Sequence, residues 1–90
     1  MANKPYYIDR HDWQMADIAT EMIFMELIEE WIISEAVDSI REGYIETIKL
    51  MKLRLRQKRQ DYYKTYGQFP PTRKLREVMA QEKKYYGLDK

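Results

Sequence analysis

Cysteine is absent from these 90 residues, and glycine and proline occur only three times each. The first absence removes disulfides and thiolate metal sites, common supports for a chain this small, and leaves the redox compartment open. The scarcity of Pro and Gly is uneven: neither occurs between Ile8 and Glu42, so nothing punctuates a helix there. Long hydrophobic runs are missing too. The most apolar window, MIFMELIEEWII (22–33), is interrupted by Glu26, Glu29 and Glu30 and is too short to cross a bilayer. No apolar run follows a basic N-terminal segment, so no signal peptide is read. The expectation is a soluble, cytoplasmic chain with an N-terminal arm over 1–8 and one helical domain over 9–90. A domain of this size buries about three-fifths of its unfolded surface, which leaves oligomerisation as a remaining source of stability.

The net charge of +1 conceals an asymmetry. From Asp9 to Glu46, eleven acids face only Arg10 and Arg41, a net −9; from Lys49 to Lys90, thirteen bases face four acids, a net +9. Such halves either attract each other or offer a basic arm to a polyanion.

The pattern predicts an all-α protein: a long antiparallel helical hairpin plus a short C-terminal helix, oligomeric. A first helix over 10–33 starts with Asp9 as N-cap and Asp12 in its first turn. At 100° per residue, Trp13, Phe24, Leu27, Ile28 and Trp31 gather on one side of it. Met15, Ile18, Ala19, Met22, Met25 and Ile33 gather on roughly the opposite side. Two opposed stripes imply cover on both. A second helix over 35–66, capped by Ser34, carries the stripe Val37, Ile40, Tyr44, Ile48, Met51, Leu55, Tyr62 and Tyr66. Gly43 sits in that helix without shifting its phase, at about 1 kcal/mol against Ala; a helix end at Gly43 is the rival reading. Gly67 ends the second helix, Pro70 and Pro71 block continuation, and Thr72 caps a third over 72–86, which Gly87 terminates. Leu75, Val78, Met79 and Tyr86 form its apolar face.

The stretch YGQFPPTRKLREVM resembles the opening of the first helix in the winged-helix domain of SOS repressors, where a Gly, two prolines and a Thr precede an Arg-containing helix. The likeness covers about ten residues. A helix-turn-helix needs a second helix to enter a groove, and only a short tail follows, so capping chemistry alone is shared. Glu26, Glu29, Glu30, Glu35 and Asp38 loosely resemble the paired acidic motifs of all-α nucleotide pyrophosphatases, E-E-x-x-E and E-x-x-D. Ile33 stands in place of the third Glu, and the second motif begins too soon to lie on an opposing helix. The Glu-x-x-His of di-iron bundles is absent. His11, the sole histidine, has no Ser, Cys or second His to form a catalytic or zinc constellation and is read as a surface residue.

These readings predict no enzyme, no metal, no cofactor and no small-molecule substrate. The leading expectation is a helical interaction subunit (an adaptor, assembly or inhibitory protein) that binds itself or a protein partner through Trp13, Phe24, Leu27, Ile28 and Trp31, since Trp concentrates at interface hot spots. The alternative is nucleic-acid binding through Lys49, Lys52, Arg54, Arg56, Lys58, Arg59 and Tyr63, with Arg73, Lys74 and Arg76 of the third helix. In a folded-back hairpin Asp9, Asp12, Asp17 and Glu21 approach Arg54, Arg56, Lys58 and Arg59, so part of the basic stretch is neutralised from within.

Overall fold

A computed structural model describes residues 9–88, and within them the chain is three α-helices with no strand. The expected arm over 1–8 lies outside the described residues. Helix α1 spans Arg10–Ser34, α2 Asp38–Tyr66 and α3 Thr72–Tyr85. No helix among the described residues is long and apolar enough to cross a membrane.

Local chemistry sets the ends of these helices. Asp9 is extended, and its carboxylate accepts the Asp12 N–H at 3.0 Å, satisfying one of the free donors of the first turn of α1. Ser34 does not cap α2. It is the last residue of α1, and its hydroxyl donates to the Trp31 carbonyl at 3.3 Å. Residues 35–37 are spent on the reversal, which a helix starting at 35 would have left without a turn. The Glu35 carboxylate accepts the Val37 N–H at 3.0 Å, and Arg41 reaches back to the Asp38 carboxylate and the Glu35 carbonyl. Val37 occupies the N-cap position of α2 with no side-chain bond.

Helix α2 runs through Gly43 unbroken and ends where Gly67 turns left-handed, φ 72°, its N–H donating to the Tyr63 carbonyl at 2.7 Å. Thr72 is not the cap of α3 either. The Pro71 carbonyl already accepts the Leu75 N–H at 2.9 Å, so Pro71 holds the N-cap position and Thr72 becomes the first helical residue. At the far end Leu88 and Gly87 donate to the Lys83 and Lys84 carbonyls, a Schellman closure that uses the left-handed Gly87.

Helix α1 is central. It packs antiparallel to α2 and also against α3, whereas α2 and α3 make no close backbone approach to each other. Their side chains meet across α1: Met15, Ala16, Ile18 and Ala19 form one core with Tyr62, Leu75 and Val78, joined at its edge by Met22, Leu55, Tyr66 and Met79. Ala16 and Ala19 leave room for close packing, and Ile23 is buried beside them. The buried part of α1 is therefore one broad arc, not two opposed stripes. Ile33, grouped by phase with that arc, is 85% exposed because neither neighbouring helix covers the tip of the hairpin. Val37 and Ile40, expected in the packed stripe of α2, are exposed there for the same reason.

Candidate functional site

Two surfaces remain once the core is assigned. The first lies along α1. Trp13, Phe24 and Trp31 keep between 37 and 49% of their area in water, while Leu27 and Ile28 are half-buried at the edges of the same stripe. Phe24 leans on Tyr86, ring centroids 5.9 Å apart, and Trp31 on Tyr44 at 5.8 Å. Trp31, Ser34, Glu35 and Tyr44 line an open slot of about 250 Å³ at the tip of the hairpin. On α2, Leu50 and Leu53 are also exposed, on the side of that helix away from α1.

The second surface is the basic half of α2, which its own phase divides. Arg54 and Lys58, one turn apart, face α1. Arg54 donates to the Glu21 carboxylate at 2.8 Å, and Lys58 to Asp17 at 3.1 Å and Glu21 at 3.4 Å. Glu21 is itself buried, so these bonds compensate its desolvation. Lys49 pairs with Glu46 and Arg73 with Glu77 along their own helices. By contrast Lys52, Arg56, Arg59, Lys74 and Arg76 have no carboxylate within 4.0 Å among the described residues. Asp9 and Asp12, expected opposite the basic stretch, sit with His11 at the start of α1 instead.

No family model, curated protein or solved structure matches the chain. Its chemistry has to be read from its own residues.

Lys52, Leu55, Arg56, Arg59, Gln60 and Phe69 line an open groove of about 420 Å³. Phe69, half in solvent, packs against Tyr63 with centroids 4.8 Å apart and the rings tilted by 43°, and the Arg59 guanidinium lies over its ring at 5.5 Å. Tyr63 was singled out from the sequence; Phe69 was not. The only signal for Phe69 was an aromatic residue in the Pro-containing connection before α3, and its approach to α2 depends on the turn at Gly67.

His11 lies at the surface, its side chain 36% exposed, but it has partners there. Its Nε2 lies 2.6 Å from the Tyr62 hydroxyl, and its ring stands edge-on to Tyr66 at 4.9 Å. It occupies the side of α1 that faces α2. Burial, and secondarily the adjacent Tyr66, holds the Tyr62 phenol above its ordinary value near 10. Ligand atoms of Asp9, His11 and Asp12 lie within 4.8 Å of one another, but Asp9 is engaged as the helix cap and His11 with Tyr62. The acids of the pyrophosphatase-like motif disperse: Glu26 pairs with Lys83 on α3, Glu35 holds the turn, Asp38 binds Arg41, and Glu29 and Glu30 face water.

Proposed function

We propose that the chain is a non-enzymatic interaction subunit that docks a second helical surface, in the first instance another copy of itself, through Trp13, Phe24 and Trp31 with Leu27 and Ile28 at their flanks. One observation carries this reading: three large aromatic side chains on a single stripe of the central helix stay between 37 and 49% exposed after both neighbouring helices have packed. Isolated exposed apolar residues are ordinary, but aromatic residues aligned on one helix face favour an interface. The stripe begins and ends in Trp, so a reversed second copy would set Trp13 of each chain near Trp31 of the other, an arrangement compatible with a two-fold contact.

The test is the molar mass in solution at low and high salt, for the wild type and for Trp31→Asp. The expected result is a wild-type mass above the 11.1 kDa of one chain that persists at high salt, because apolar burial is not screened. Trp31→Asp should return a folded monomer. A wild type that stays monomeric at every concentration overturns self-docking, and an unchanged assembly in Trp31→Asp removes the stripe from it.

A further inference from the structure

We propose that the groove between α2 and the connection 67–71 binds single-stranded nucleic acid, with phosphates on Lys52, Arg56 and Arg59 and a base stacked on Phe69.

Three observations converge on this site. Lys52, Arg56 and Arg59 recur at steps of four and three, so they share one side of α2 and span about 10 Å along its axis. The three have no carboxylate within 4.0 Å among the described residues, whereas Arg54 and Lys58 on the α1 side are consumed by Glu21 and Asp17. Beside these cations the Phe69–Tyr63 pair stands half in water on the rim, with the Arg59 guanidinium over the Phe69 ring, so that an incoming base takes this face as Arg59 turns to a phosphate. An apolar core residue left exposed would be a loss without return; a flat ring next to available cations is the standard arrangement for holding a strand by stacking and charge together.

The aromatic pair also selects among polyanions. Duplex phosphates could use the cations, but the bases of a duplex are stacked internally and cannot reach Phe69. An acidic polypeptide, including the acidic half of a second copy, would use the charge and leave the ring idle. An unpaired strand uses both. Leu55, which lines the groove, packs into the core on the side of α1 roughly opposite the tryptophan stripe, so this site and the proposed protein-docking face are separate surfaces.

The experiment is fluorescence anisotropy with the full chain and a labelled oligothymidine of about 12 nucleotides, inside the usual range of single-strand site sizes. A duplex of the same length and polyglutamate serve as competitors. Three phosphate contacts predict that the logarithm of affinity falls with the logarithm of salt concentration at a slope of about −2. Arg56→Ala should reduce that slope by about 0.7, whereas Lys83→Ala, on α3 and paired to Glu26 of α1 away from the groove, should leave it unchanged. Phe69→Ala should weaken binding about tenfold with the slope intact, because it removes stacking and no charge. Arg56→Ala and Phe69→Ala alter exposed side chains, and circular dichroism checks that all three variants remain helical. Absence of binding at low salt overturns the proposal. So does a duplex that binds as tightly as the single strand, polyglutamate that displaces the strand at equal charge, or a Phe69→Ala chain that binds as well as the wild type.

Discussion

The two ends of the hairpin are built from equally helical chain and end up physically different. At one end α3 closes over α1, and Met15, Ile18, Ala19 and Tyr62 lose nearly all contact with water. At the other, α1 has only α2 beside it. There LIEEWII (27–33) is at least as apolar as the core segment, yet Trp31 and Ile33 stay exposed, together with Val37 and Ile40 across the turn. Sequence sets how much apolar surface the chain carries, and the reach of the third helix decides how much of it the fold can hide. The closed end carries the stability, and the open end adds exposed apolar surface to the stripe that begins at Trp13.

Paired truncations test this division most severely. Ile18→Ala at the closed end should cost about 2–5 kcal/mol, through lost burial and an imperfectly refilled cavity. Ile33→Ala, the same chemical change at the open end, should stay within about 0.5 kcal/mol in a monomer. Urea unfolding followed by circular dichroism measures both. Equal losses would mean that the tip is packed in solution, either within the chain or by a second copy. Dilution separates those two cases.

A smaller effect distinguishes the polar seam of the closed end. Tyr62→Phe keeps the ring but removes the hydroxyl 2.6 Å from His11 Nε2, and should cost about 1 kcal/mol near neutral pH. The pH dependence has a definite sign. Burial raises the Tyr62 phenol in the folded state, so the fold favours the neutral form. That contribution is complete below the unfolded value near 10 and is lost as pH rises through the higher folded value. Between pH 9 and 12 (about the range bracketing a tyrosine) the wild type should lose stability faster than Tyr62→Phe. Parallel curves would place the phenol in a solvated setting.

Much of this architecture was legible because it depends on local rules. Asp9 with Asp12, the three-and-four stripe of α2, and Gly67 before two prolines each act over a few residues, and each marks its element correctly to within a few positions. The errors at Ser34 and Thr72 share a cause. Both residues have the right chemistry for a cap, but cap position is fixed by which carbonyl first accepts a helical bond, and that depends on the turn before it. Ala16 and Ile23 escaped notice because burial between two helices on adjacent sides follows the position of α3, which the periodicity of α1 does not encode. The basic stretch could be read only as a sum. Folding separates it into a used pair, Arg54 and Lys58, and an unused face, Lys52, Arg56 and Arg59, and only tertiary structure brings Phe69 to that face.

The smallest predicted effect probes the open end directly. Gly43 lies within α2 with no positive φ, and a Cβ built there meets nothing within 4 Å. Gly43→Ala therefore adds helix propensity without a clash, and should gain about 0.5–1 kcal/mol. Where the gain is visible depends on how the two ends are coupled. If the hairpin unfolds as one unit, urea titration registers all of it. If the open end frays first, the global midpoint barely moves, and the gain appears as slower amide hydrogen exchange across α2 around residue 43. The second outcome is expected from the packing, since α3 does not cover this segment and only Ile48 in its neighbourhood is well buried. A partner seated on the tryptophan stripe should then slow the same amides further, because ordering the tip is part of what binding must accomplish. A destabilised Gly43→Ala chain would show instead that residue 43 is a hinge in solution and that α2 is two helices.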